Sequence, residues 1–314
     1  MDAGLFDREF LRKLEYLSLV SRRIYRGQTR GAHASPRRGA SLDFADYRNY
    51  EPGDDFRTID WSIFGRLDKL FVRLFAEEED LSVHVLLDAS RSMDFGNPPK
   101  IDYARRLAAA LAYVGIGSLD RVGMTTFAAG LGGALAPRRG RAQLFHLLEY
   151  MSRIRAEGRT DISRSLEDYA LRSRVPGLAI VISDLLPNES AVSGFPASPA
   201  PAPPREGDDF RRGIRALLYR RFDVVLVHVL DREEIAPRAR GAFRLADMET
   251  GRQLGVSVDA PLLAAYRRRV AGFFSEVEGF CLSNRVEYLR TSTVVPFEDV
   301  VLKYLRQGAH LHSR

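Results

Sequence analysis

One cysteine, Cys281, is all the thiol chemistry in 314 residues. No internal disulfide can form, which suits a reducing compartment. No apolar stretch approaches the roughly 20 residues that cross a bilayer. The first residues, MDAGLFDREFLRKLEYLSLVSRR, mix acids with bases where an export signal would need an apolar core. The expectation is a soluble, cytoplasmic protein with no transmembrane segment. Two catalytic signatures are missing as well. No GxxxxGK[ST] phosphate loop occurs, so any ATPase must be a partner. No GxSxG nucleophile elbow occurs either. Neither charge sign dominates: 47 Lys and Arg stand against 41 Asp and Glu, a net +6. What the chain does have is a 45% hydrophobic composition, enough to bury a globular core.

The mild positive charge is unevenly spread. Residues 8–38 hold nine Lys and Arg against Glu9 and Glu15. Such an arm could meet nucleic acid, anionic lipid or an acidic protein face, or simply be a solvated helix face followed by a basic loop. Residues 5–24 place Leu5, Phe6, Phe10, Leu11, Leu14, Leu17, Leu19, Val20 and Ile24 near helical spacing, which predicts an amphipathic first helix packed on something. RGQTRGAHASPRRGAS then reads as an exposed loop. Residues 42–75 are too rich in aromatics for a free linker. They read as an extended or irregular collar wrapped on the next domain, fixed by a network of Asp54, Asp55, Asp60 and Arg57 with Trp61 as a packing anchor.

From residue 81 the pattern becomes strands alternating with helices. Strands are expected at 81–87, 121–127, 178–183, 222–230 and 286–290, with a hairpin near 131–135 and two short strands at 242–245 and 253–258. Helices are expected at 100–117, 141–154, 162–173, 208–220, 260–281 and 297–306. The fold class is α/β: a doubly wound, mostly parallel sheet covered on both faces. The domain reading is residues 1–78 for the helix and collar, and 79–314 for the α/β domain. A Pro-, Ala- and Ser-rich insertion at about 187–207 interrupts the second domain.

The strand VHVLL ends abruptly in Asp88, followed by Ser90 and Ser92 at alternate positions. In an open parallel sheet, ligands bind outside the carboxyl ends of the strands. Thr160, in EGRTDI, and Asp184, ending AIVIS, point to the same edge. One acid with two hydroxyls, joined by a third hydroxyl and a second acid, offers hard oxygen donors suited to Mg2+ or Mn2+. The plainer reading is that Asp88 and the serines cap the following helix or stabilise a turn.

These residues together resemble the metal-ion-dependent adhesion site (MIDAS) of von Willebrand factor A domains, with D-x-S-x-S at Asp88–Ser92, then Thr160, then Asp184. Upstream, GAHAS at 31–35, DFADYR at 43–48 and YEPGDDFRTIDW at 50–61 resemble the bacterial domain of unknown function 58 family. The likeness is close over about 25–185 and looser beyond. In place of that family's commonly basic pattern around the histidine, this chain has Ala32 and Ala34. The resemblance implies a von Willebrand factor A type fold and an association with a MoxR-type AAA+ ATPase. It implies that Ser90, Ser92 and Thr160 ligate a metal through hydroxyls, and that Asp88 and Asp184 hold it directly or through water. A coordination position is left for an acidic side chain of a client or partner. The function expected is a non-enzymatic, metal-dependent protein–protein interaction module, an adaptor in protein remodelling or maturation.

Rival readings attach to other residues. Ser90 as an acyl nucleophile needs a base such as His84 or His228 beside it, and both histidines lie inside apolar strands. Nucleic-acid binding through the basic arm is the alternative function, but the basic segments FRRGIRALLYRR and YRRRV look like helix surfaces without interleaved aromatics. Glu77, Glu78, Glu79 and Asp80 read as a solvated edge guard, and His310 and His312 as a frayed terminus.

Overall fold

In the computed structural model, the residues described are 5–28, 44–75, 81–186, 210–249, 251 and 253–311. In chain order the elements are α1 (Arg8–Gln28), β1 (Phe44–Asn49), α2 (Trp61–Leu67), β2 (Phe71–Phe75), β3 (Ser82–Asp88), α3 (Lys100–Gly117), β4 (Arg121–Phe127), β5 (Leu131–Arg138), α4 (Arg141–Arg153), α5 (Ile162–Arg172), β6 (Leu178–Ser183), α6 (Phe210–Tyr219), β7 (Asp223–Leu230), α7 (Arg232–Ile235), β8 (Gly241–Ala246), β9 (Gln253–Val258), α8 (Ala260–Ser283), β10 (Glu287–Ser292) and α9 (Phe297–Leu311). They form two compact units: one takes the chain up to Ile24 and again from Leu81, the other the segment between them. The loop around His33, the run Glu77–Asp80, the Pro-rich insertion and His312 lie outside the described residues.

The larger unit is built on a six-stranded sheet in the order β10-β7-β6-β3-β4-β5. All neighbours are parallel except β4 and β5, which form an antiparallel hairpin at one edge. This is the expected doubly wound α/β fold. Strand alternation sends successive side chains to opposite faces. Val83, Val85 and Leu87 of β3 join one core with Leu107, Leu147, Val301 and Leu305, which belong to α3, α4 and α9. Leu86 joins the other with Leu166, Ile214 and Val277 of α5, α6 and α8. Helices therefore cover both faces, as the near-continuous apolar strands require. The crossing of α5 and α6 depends on Gly213: a Cβ there would lie 2.8 Å from the Leu166 Cβ and 2.9 Å from the Ser163 carbonyl oxygen.

The first helix belongs to this unit. Phe10, Leu14 and Leu17 are buried in the same core as α3 and α9. Phe10 lies 5.2 Å from Phe297 between ring centroids, and Lys13 pairs with Glu298 at 2.9 Å. At the β5 edge, side chains of α4 bond the strand backbone: the Tyr150 hydroxyl donates to the Gly133 carbonyl at 2.6 Å and the Gln143 amide to the Ala136 carbonyl at 3.1 Å.

In the smaller unit β1 and β2 pair antiparallel, with Tyr47 opposite Arg73. The acids expected to form a network do so, with different arginines. Asp60 caps α2 through the Ser62 and Ile63 amides and also accepts from Arg73 and Tyr47 at 2.8 and 3.0 Å. Arg73, with those other donors, holds its carboxyl well below the usual range. Asp54 pairs with Arg48 at 2.8 Å, and Asp55 accepts from the Arg57 amide. Two readings are corrected. The segment is not wholly extended, because Asp60 at the N-cap nucleates the helix Trp61–Leu67. Trp61 is no packing anchor: at the first helical position its indole is turned outward, 60% exposed, with an edge contact to Phe64 at 6.2 Å.

Candidate metal centre

The order of the sheet reverses around β3. The chain steps from β3 to β4 on one side and returns to lay β6 on the other. Helix α3, which follows β3, packs in one core, and α6, which follows β6, packs in the other. The strand ends Asp88 and Ser183–Asp184 therefore flank the crevice where such folds bind ligands. The loop carrying Thr160 is tied to the loop after β3 by backbone bonds. The Glu157 amide donates to the Ala89 carbonyl at 2.8 Å, and the Arg91 amide to the Gly158 carbonyl at 2.9 Å. Gly158, at φ +79°, makes the turn that this pairing needs. The Asp161 amide fixes the next position on the Ala128 carbonyl, and its carboxylate caps α5 through the Arg164 amide.

All five residues singled out in the sequence are buried: Asp88, Ser90, Ser92, Thr160 and Asp184. Asp88 accepts the Ser90 amide at 2.9 Å through one oxygen and the Ser183 hydroxyl at 2.6 Å through the other. The Ser90 and Ser92 hydroxyl oxygens are 3.1 Å apart. Asp184 accepts from the Leu186 amide at 3.2 Å and from the Lys100 ammonium at 2.7 Å. Burial, with the Asp184 charge nearby, pushes the Asp88 carboxyl up to about 7. The Thr160 hydroxyl oxygen is buried with no hydrogen-bond partner.

The capping alternative holds only in part. Asp88 does stabilise a turn through the Ser90 amide, but the Ser90 side chain makes no capping bond to the short helix that follows it. The donor chemistry fits a small hard cation. Mg2+ prefers oxygens at about 2.1 Å in an octahedron, so neighbouring ligand oxygens lie roughly 3.0 Å apart, close to the spacing of the two serine hydroxyls. An orphaned buried hydroxyl is costly in a dry site, and Thr160 presents one. Among the described residues no group of three or more His, Cys, Asp or Glu could hold a metal. Any metal set here therefore depends on hydroxyls, which disfavours zinc and suits magnesium or manganese.

Three contributors escaped the sequence reading. Lys100, at the first position of α3, is fully buried and bridges Asp184 at 2.7 Å to Glu234 at 2.5 Å. Burial pulls its pKa down, but the two carboxylates outweigh that and leave it raised. A cation opening a helix opposes the helix dipole, and that was the available signal. Ser183 holds Asp88 from the neighbouring strand. Glu249, between β8 and β9, accepts from the Thr160 amide at 3.2 Å, while its second oxygen is buried without a partner. Burial pushes the Glu249 carboxyl up; the Thr160 amide opposes this and the Asp184 charge adds to it.

The histidines bond partners other than Ser90. His84 bonds the Tyr169 hydroxyl at 2.7 Å, and His228 bonds Tyr288 at 2.8 Å and the Asp184 carbonyl at 2.9 Å. Burial pushes both imidazoles down to about 4. The hydrogen bond of the Ser90 hydroxyl goes to Ser92, so no Ser–His pair is assembled.

The doubly wound α/β fold expected from the likeness to von Willebrand factor A domains is present, with buried oxygen-bearing side chains at its strand ends. The model of the family described as "Protein of unknown function DUF58" matches residues 46–272, and the chain belongs to that family. It is 27% identical over 270 residues to the uncharacterized protein Rv1480 of Mycobacterium tuberculosis (strain H37Rv), covering 84% of this chain and 78% of that one. Uncharacterized protein Mb1516 of Mycobacterium bovis matches equally. Among solved structures, BatB from Bacteroides thetaiotaomicron aligns at TM-score 0.42 and 14% identity, over 73% of this chain and 99% of its own. The SpRpn10 VWA domain aligns at TM-score 0.37 and 9% identity, over 71% and 94%. No helix among the described residues is long and apolar enough to cross a membrane.

Proposed function

We propose that this protein is a non-enzymatic interaction module that holds Mg2+ or Mn2+ with Asp88, Ser90, Ser92, Thr160 and Asp184. In this reading it serves in the cytoplasm as an adaptor of a MoxR-type AAA+ ATPase in protein remodelling or maturation. The observation that carries the reading is the Thr160 hydroxyl: buried, unpartnered, and tied by its loop to the strand end that bears Asp88, Ser90 and Ser92. A bound divalent cation supplies positive charge and a coordination position to an incoming carboxylate. The protein's part is to hold the hydroxyls and acids in place. Ser183 and the Ser90 amide fix Asp88; Lys100 and the Leu186 amide fix Asp184. The ATPase partnership follows from the family resemblance together with the chain's lack of a phosphate loop of its own.

Isothermal titration tests the metal half. The wild-type protein is expected to take up one Mg2+ per chain, and Asp88→Ala to give no heat; equal heats from both would remove the site. For the partnership, an immobilised wild-type chain is expected to retain a MoxR-type ATPase in Mg2+ and release it in EDTA, while Asp88→Ala retains none. Retention indifferent to both would end the metal-dependent adaptor reading.

A further inference from the structure

A recess of about 510 Å3 lies between the β5 edge of the sheet and the end of α5, a volume within the range of small-molecule sites. Three arginines line it, Arg121, Arg172 and Arg174, and none of the lining residues is an acid. Arg172 stands in the last turn of α5, so the helix sets partial negative charge beside its guanidinium. That arrangement favours a singly charged carboxylate over a dianionic phosphate. The β5 wall offers little relief, because Ala134, opposite Thr125 in the ladder, and Ala136 two positions on are both small. His84 also lines the recess and is 2% exposed. Its Nδ1 meets the Tyr169 hydroxyl at 2.7 Å, while its Nε2 is buried with no partner. Burial pushes the imidazole down to about 4 and so keeps it neutral near pH 7. One ring nitrogen of a neutral imidazole is thus left without the hydrogen bond it can make, which is costly in a dry site.

We propose that this recess binds a small hydroxyaryl carboxylate, with Arg172 and Arg174 taking the carboxylate and His84 Nε2 the hydroxyl. A guanidinium presents a planar fork that matches a carboxylate. A flat ring fits between the alanines of β5 and Tyr169. A hydroxyl both donates and accepts, so it satisfies Nε2 in either tautomer of His84. The recess shares no residue with the five proposed to hold the metal, and Ser82 and Arg121 in its lining open β3 and β4 at the strand ends opposite Asp88. It is a second site, and its occupancy does not depend on the cation.

The probe is 6-hydroxy-2-naphthoate, titrated into the full chain in EDTA. It is expected to bind with a Kd of about 1 mM or below, given its size. Its uncharged amide is expected to bind about tenfold more weakly, and so is the acid to the double variant Arg172→Gln/Arg174→Gln, since each loses a charge-assisted bond. Both substituted side chains are exposed, so the variant is expected to keep the fold. A second measurement needs no variant. In imidazole 15N spectra of the wild-type protein, the probe is expected to move the Nε2 resonance of His84, and 2-naphthoate, which has no hydroxyl, to move it less. The inference falls if the wild-type chain does not bind the probe, or if the amide or the double variant binds as the acid and the wild type do. It falls equally if the His84 resonance stays still at saturation.

Discussion

Lys100 is placed against its helix's dipole and away from water, and two carboxylates make that tolerable. Replacing it with Met leaves Asp184 and Glu234 facing each other without a counter-ion. The expected loss of stability is about 3–5 kcal/mol in metal-free protein, the usual cost of breaking a buried pair. The same variant concentrates negative charge, so Mg2+ is expected to bind more tightly and to recover part of the loss. Denaturant titrations with EDTA and with Mg2+ check both halves; an unchanged midpoint in EDTA would refute the role given to Lys100. At this scale the sequence was legible where chemistry follows a fixed local spacing. Asp88 ends a strand with Ser90 and Ser92 at alternate positions just after it, and Thr160 and Asp184 each stand at a recognisable turn or strand end. Ser183 and Glu249 were not legible, and Lys100 showed only as a cation opening a helix, because their partners lie 95, 89 and 84 residues away in the chain. No local pattern marks such a pairing before the sheet order is known.

Among the elements, periodicity was enough wherever one face had to be buried. The strands from β3 onward and their covering helices stand close to where apolar spacing places them, because a near-continuous apolar run marks a buried parallel strand and a one-sided apolar stripe marks its covering helix. For α1 the spacing predicted an amphipathic helix but not what it packs on. The structure gives it the α3 and α9 side of the core. Leu14 is fully buried there while Leu19 is 65% exposed. Leu14→Ala is therefore expected to cost about 2–4 kcal/mol and Leu19→Ala to stay within about 0.5 kcal/mol. Equal effects of the two in chemical denaturation would contradict the docking of α1. The helix α2 was missed for a different reason. It spans only seven residues and buries none of them, and the Asp60 cap that starts it was read as an ion-pair partner.

For the molecule as a whole, a ligand that binds only the folded chain shifts the unfolding equilibrium. At 100 times its dissociation constant a ligand adds about 2.7 kcal/mol, which for a unit of this size raises Tm by roughly 5–10 °C. Thermal melts are expected to show that rise with Mg2+ for the wild-type chain and none for Asp88→Ala. A rise in both would place the bound ion elsewhere. Strand order was the part of the whole that the sequence withheld. Periodicity named strands and helices, and it is the return of β6 to the far side of β3 that makes neighbours of Asp88 and Asp184.

The antiparallel margin formed by β5 has a consequence for crowded solutions. Strand edges are adhesive because unpaired carbonyls and amides invite a foreign strand to continue the ladder. Here Tyr150 and Gln143 already engage the Gly133 and Ala136 carbonyls, and Pro137 brings no amide hydrogen. The β4–β5 ladder also shifts register between Val122 and Met124 and between Thr125 and Phe127, so a second copy finds no regular border to continue.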